Sequence, residues 1–334
     1  MLKLSVLDQS VATVGVSHDT SIRDTIELAR FCETLGYHRF WVSEHHNHPT
    51  IVGSAPEVIM AAIAQATETI RIGSAGIMLP HYSPYKVAEQ FRVLDAIAPG
   101  RIDLGLGRAP GSDGKTAMAL NPNGHQAAEH FPNNVRDLIA WVTNEPLVSG
   151  HPYASLKANP IAKTKPEVWM LGTSDYGALV AARLGLPYCF AHFITDGAGT
   201  RRALALYREN FQPSANCPKP LPSICVWALA AETDEEARHL FMPRAYWKLM
   251  RNRGGLAPLI APEEAAEYPF SGSDKAFIDN LSDHALIGSA TRVADRLRQL
   301  AQTKMVDEIV VLTWTHGQAD RRRSYKLLAR ELIQ

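Results

Sequence analysis

Five consecutive residues, Glu44-His45-His46-Asn47-His48, carry a carboxylate and three imidazoles. An imidazole changes charge near neutrality and serves as acid, base or metal ligand. Three readings of the run stand at this level: metal ligation, solvent-facing histidines, and a catalytic or cofactor-facing imidazole. The metal reading fits poorly, because adjacent side chains on an extended chain point to opposite sides and no H-x-x-x-H pattern completes a ligand set. No metal is expected. A second group is Gly105-Leu106-Gly107-Arg108. Glycines there admit a close ligand and a guanidinium suits a phosphate, although an ion pair with a carboxylate would also account for Arg108. A third is Gly172-Thr173-Ser174. Ser174 can cap a helix, and a capped helix N-terminus attracts an anion. Arg108 and the Thr173–Gly177 turn together point to a mononucleotide cofactor.

Other motifs in these stretches fail. Gly105-x-Gly107-x-x-x-Gly111 is one residue too long for a dinucleotide fingerprint, and Gly114-Lys115-Thr116 has Ala109 where a phosphate-binding loop requires glycine. No Gly-x-Ser-x-Gly elbow is present.

The elements that must position these groups are short apolar runs alternating with helical patterns. Candidate strands are Lys3–Asp8, Arg39–Ser43, Arg71–Met78, Arg101–Gly105, Glu167–Leu171, Tyr188–Ala191, Ile224–Ala230 and Glu308–Thr313. Each reads as a strand buried on both faces. Between them, Ile22, Ile26 and Ala29 recur at helical spacing before Gly36. Ser83-Pro84 opens a helix with Val87, Phe91 and Leu94 on one face, Thr233-Asp-Glu-Glu236 reads as a capping box, and Ser289 reads as an N-cap. Polar groups fall at the strand ends: Asp8-Gln9-Ser10, the histidine run, His81, Arg108, Thr173-Ser174, His192, Trp314 and His316. Polar groups spread over every strand end favour a closed α/β barrel, a (β/α)8 TIM barrel, over an open sheet with one switch point. The whole chain, 1–334, reads as a single domain with insertions at about 109–134 and 253–285 on the C-terminal face.

Composition bounds the function. Lys+Arg and Asp+Glu are 34 each, so there is no charge-based case for nucleic acid or a membrane surface. The run Arg321-Arg322-Arg323 is expected on a solvated helix face. Cys32, Cys189, Cys217 and Cys225 form no C-x-x-C pair and suit reduced thiols in a cytoplasmic protein. No signal peptide and no membrane-spanning apolar stretch are read.

At these residues the chain resembles the bacterial-luciferase-like flavin monooxygenases. Phe40-Trp-Val-Ser-Glu-His-His46, Gly73-Ser-Ala-Gly-Ile-Met-Leu-Pro80, His81-Tyr-Ser-Pro84 and Pro99-Gly-Arg-Ile-Asp-Leu-Gly-Leu-Gly-Arg108 carry the likeness, with Gly288-Ser-Ala-Thr291 and Asp307-Glu-Ile-Val310 near the end. Gly-Arg-Ala-Pro-Gly-Ser-Asp113 points to the uncharacterised branch rather than the light emitters, as does Gly107 where light-emitting α chains have cysteine.

The resemblance implies that His45 is the catalytic histidine, and that Gly107, Arg108, Thr173, Ser174 and Gly177 lie where the FMN phosphate binds. It places Ala75 and Gly76 at a non-proline cis peptide against the flavin ring, with Met78 beside it. It implies a two-component enzyme: reduced FMN from a separate flavin reductase and O₂ oxygenate a small apolar organic substrate, in a homodimer. An F420-dependent hydride-transfer enzyme, a non-catalytic flavin-binding protein and a metal-dependent hydrolase are the rival readings. Tyr82, Phe193, Trp227 and Trp314 are apolar candidates near the mouth, equally consistent with core packing.

Overall fold

The computed structural model describes residues 2–333. Nine strands run β1 (Lys3–Asp8), β2 (Arg39–Val42), β3 (Arg71–Met78), β4 (Ile102–Gly107), β5 (Glu167–Gly172), β6 (Tyr188–Phe190), β7 (Pro222–Ala231), β8 (Leu286–Ser289) and β9 (Glu308–Leu312). β1 to β6 pair in chain order, β6 pairs with β7, β7 with β9, and β9 returns to β1, every pair parallel. The ring is a closed eight-stranded (β/α)8 barrel, and its eight strands are those expected. β8 lies outside the ring, paired with Ala228–Ala231 of β7. Its sequence, Leu-Ile-Gly-Ser, is too short to read as a strand until the extended upper half of β7 offers it a partner.

Strand periodicity sorts the side chains into two cores. Leu4 and Val6 of β1, Phe40 and Val42 of β2, and Ile309 and Val311 of β9 pack outward against the helices. Leu7, Trp41, Trp169, Val310 and Leu312 fill the interior. The first inward layer, at the N-terminal ends of the strands, is ionic. Arg39 donates to Glu308 at 3.0 Å, Asp103 at 2.9 Å and Glu167 at 3.0 Å, while Trp41 Nε1 donates to Asp103 at 2.9 Å. Burial pushes the Asp103 carboxyl up, but the Arg39 and Arg71 guanidiniums outweigh it and hold it below the usual range. Gly73 is required here: a Cβ would stand 2.5 Å from Trp41 and 2.7 Å from Asp103. The barrel is thus sealed at its base and open at the other end.

Several local expectations change. Ser83 and Thr233 accept N–H bonds as N-caps, and Glu236 accepts from Glu232 N. Ser289 makes no cap; its backbone N–H donates instead to Asp234 at 2.7 Å, which ties the β8 end to the helix Asp234–Asn252. Arg321 does not lie on a solvated face. It is 2% exposed and pairs with Asp8 at 3.0 Å, because successive helix positions differ by about 100° and one of three neighbouring arginines must turn inward. The two tracts read as insertions fold into short helices, Gly114–Leu120 and Gly124–Glu129 in the first, Pro262–Glu267 and Gly272–His284 in the second. Phe131, inside the first tract, already begins the helix Phe131–Thr143.

Candidate active site

The open end of the barrel holds a cavity of about 640 Å³, within the range of small-molecule sites. His45, Ala75, Gly76, Met78, Gly107, Arg108, Thr173, Ser174 and Gly177 all line it. These residues come from the ends of β2, β3, β4 and β5, so barrel closure is what brings them together.

His45 follows β2, where its backbone N–H donates to Gly53 O at 3.1 Å and its Nδ1 lies 3.3 Å from Ser43 Oγ. Burial, with smaller contributions from the neighbouring His48 and His46 charges, pushes its pKa down to about 4. It is therefore a neutral imidazole near pH 7. Of the other histidines in the run, His48 lines the cavity, while His46 Nε2 donates to Glu44 Oε1 at 2.7 Å.

Glu44 is the site residue that sequence reasoning left without a role. It is 1% exposed, and it accepts from His46, from Tyr82 OH at 2.7 Å, and from Met78 N at 3.0 Å. One carboxylate thereby fastens the end of β2 to the end of β3. Tyr82 is spent on this contact and does not line the cavity, whereas Phe193, Trp227 and Trp314 do. His316 lies outside as well, bonded to Val14 O.

The Ala75–Gly76 peptide is cis. A Cβ on Gly76 would meet Leu171 Cδ1 at 2.7 Å and Gly105 O at 2.8 Å, so only glycine lets β3 lie this close to β4. Gly111 has φ +58, and a Cβ there would fall on the Met78 side chain at 1.8 Å. The loop after β4 is thus packed on Met78, and Met78 on the pocket.

Arg108 makes no ion pair among the described residues; its guanidinium lies over the Tyr176 ring at 4.2 Å. Tyr176 belongs to the first turn of the helix Asp175–Arg183, whose N-cap Ser174 accepts from Gly177 N at 3.3 Å. A cation and a helix N-terminus therefore share one rim of the pocket, an arrangement that favours a phosphate. Across the mouth, Trp247, Lys248 and Arg251 of the helix Asp234–Asn252 also line it. Their i, i+1 and i+4 spacing with Arg244 three residues before was visible in the sequence, but nothing local said that this face meets the barrel. Among the described residues no group of three or more His, Cys, Asp or Glu is placed to hold a metal, and no helix is long and apolar enough to cross a membrane.

A parallel barrel with a deep, largely apolar pocket at the C-terminal ends of its strands is the form taken by barrel enzymes that act on small molecules. The chain belongs to the luciferase-like monooxygenase family, whose sequence profile matches residues 2–307. It is 35% identical over 331 residues to an N-acetyl-S-alkylcysteine monooxygenase of Bacillus subtilis (strain 168), an alignment covering 98% of each chain. The crystal structure of apo-MsnO8 superposes with a TM-score of 0.91 at 37% identity, covering 100% of this chain and 99% of that one. The oxygenating constituent of 3,6-diketocamphane monooxygenase of Pseudomonas putida, a type II Baeyer-Villiger monooxygenase in complex with FMN, shares the fold at TM-score 0.73 and 18% identity, covering 99% and 98%. The enzymes so named are monooxygenases rather than light emitters.

Proposed function

We propose that the pocket binds FMN and that the protein is the oxygenase of a two-component system, taking reduced FMN from a separate flavin reductase and using O₂ to oxygenate a small apolar organic molecule. The observation that carries this reading is the meeting of Arg108 with the N-terminus of Asp175–Arg183 on the rim of a pocket that also holds the neutral His45. Arg108, Thr173 and Ser174 would hold the phosphate. Gly76, Met78 and the glycine-lined end of β4 leave room for a flat ring. Bound and reduced, FMN supplies two electrons to O₂, so that one oxygen atom goes to the substrate and the other leaves as water. Leu171, Phe193 and Trp314 keep bulk water from the reacting atoms, and His45 offers a hydrogen bond or moves a proton beside them.

The FMN complex of the diketocamphane enzyme supports a flavin cofactor, and the N-acetyl-S-alkylcysteine named for the Bacillus relative supports a small organic substrate with an apolar alkyl arm. The proposed assembly is a cytoplasmic homodimer packed through barrel helices. Val58, on the helix Pro56–Ala66, and Val93 and Ile97, on Pro84–Ile97, are 65%, 47% and 40% exposed and offer an apolar face for it. The four free, buried cysteines suit a reducing compartment.

Anaerobic titration with reduced FMN, followed by rapid mixing with oxygenated buffer, tests the reading. Saturable binding and oxygen-dependent flavin reoxidation are expected. No binding of reduced FMN together with binding of F420 would replace it with hydride transfer. In the same titration Arg108→Ala should cost about 1.5–3 kcal/mol of binding, roughly a 10- to 150-fold rise in Kd. An unchanged Kd would remove the phosphate assignment.

A further inference from the structure

Four arginines are buried among the described residues: Arg39, Arg92, Arg244 and Arg321. Three meet acceptors in the protein, though not through every nitrogen: Arg92 Nη2 and Arg321 Nε and Nη2 are buried without a hydrogen bond. Arg39 meets three carboxylates, Arg92 donates to Pro160 O at 2.9 Å and Val142 O at 3.1 Å, and Arg321 pairs with Asp8. Arg244 is 7% exposed, and its side chain makes no hydrogen bond or ion pair with the described residues. Its guanidinium lies over the Trp227 ring at 4.2 Å and faces the same cavity. With no acceptor among the described residues, this guanidinium faces the cavity, so that water or a bound anion there must solvate its charge.

The neighbouring cations differ from it. Lys248 is already neutralised by Asp196, at 2.6 and 2.7 Å. Arg251 is exposed at the mouth, 5.8 Å from the Trp247 ring. The phosphate-binding rim lies elsewhere, at the ends of β4 and β5. What remains is a single guanidinium over an indole face, with no N–H of it bonded to the described residues, suited to a planar, two-oxygen acceptor. The same cavity is lined by the apolar Leu7, Ile51, Leu312 and Trp314. Burial lowers the Arg244 pKa to about 9, with the nearby Asp196 charge raising it and Arg251 lowering it, so the group keeps its charge at neutral pH.

We propose that Arg244 is a substrate-binding residue that takes the carboxylate of an organic monoanion, whose apolar remainder fills the pocket. The inference rests on the monooxygenase reading of this site and narrows its substrate class to carboxylates. Arg251 at the mouth and Arg244 at depth would draw such an anion inward, and Arg244 would fix which end of it approaches His45.

The test is calorimetric titration of the wild type, Arg244→Gln and Arg244→Lys, each with and without bound FMN, using N-acetyl-S-butylcysteine and its methyl ester as probes. The wild type should bind the acid roughly ten-fold or more tighter than the ester. Arg244→Gln should abolish that preference while leaving FMN affinity and ester affinity within about two-fold, and Arg244→Lys should restore part of it. Equal binding of acid and ester by the wild type, binding of neither, or a preference that survives in Arg244→Gln would overturn the proposal. A loss of FMN affinity in Arg244→Gln as large as the loss of acid binding would overturn it too, assigning the guanidinium to the flavin. A wild type that takes no FMN yet still prefers the acid would uphold the anion site and remove the FMN reading instead.

Discussion

Replacing His45 with alanine is expected to lower oxygenation by roughly 10²- to 10⁴-fold, with FMN affinity changed by no more than about three-fold, since the phosphate contacts proposed above lie on other strands. The reason is position and charge state together. The Gly53 carbonyl and the Ser43 hydroxyl hold the residue, and Nε2 has no protein partner among the described residues. With its pKa pushed down to about 4, the ring is neutral under working conditions and can accept or donate without first losing a proton. Single-turnover kinetics with prebound reduced FMN would separate the two effects; full activity in the variant would sink the role, and a collapse of FMN binding would make His45 a structural residue.

The same shift has a stability consequence of defined sign. Folding depresses the His45 pKa below the value of about 6.5 that it has in the unfolded chain. Between roughly 6.5 and 4 the unfolded chain takes up a proton that the folded one refuses, so stability present above that window is lost as pH falls through it. His45→Gln should flatten this part of the stability–pH curve, read from urea midpoints at a series of pH values.

Arg39→Met should be the most destabilising of the substitutions considered, by about 3–5 kcal/mol. Methionine matches the arginine stem, but it leaves Asp103, 0% exposed, and Glu308, 4% exposed, without the guanidinium between them. Arg71 remains to serve Asp103, at 3.0 Å from Nε, and cannot replace the contact with Glu308. The cost falls on the base of the barrel, away from the pocket, so surviving folded protein should keep its FMN affinity. Urea denaturation with an unchanged slope would report it as a lowered midpoint. Arg23→Ala is the control. Its pair with Asp19 is 65% exposed on both sides, and the midpoint should stay where it is. Adding Glu308→Gln to Arg39→Met should recover part of the loss, because it removes a charge left unpaired.

Much of this molecule is legible in one dimension. Each barrel strand is a short run buried on both faces, and the chain turns polar where each run ends. The eight strands of the ring, and His45, Arg108 and Ser174 at their ends, could therefore be read from local pattern. Residues whose surroundings come from distant chain could not be. Arg321 is one of three like neighbours, and only the approach of Asp8 from β1 makes it the buried one. Ser289 has the type of an N-cap, but Asp234 takes its N–H from 55 residues away. Tyr82 looks like a pocket aromatic until Glu44 claims its hydroxyl. Arg244 lies on a helix face whose spacing is plain, yet only packing over the barrel mouth turns that face from solvent to cavity. Sequence alone determined the periodicities and their ends, hence the barrel and its rim, because those depend on backbone geometry and neighbours within a few residues. Which polar groups are paired, which are left unpaired, and what they surround was decided by barrel closure, because burial and electrostatic partnership depend on residues that the chain brings together only when folded.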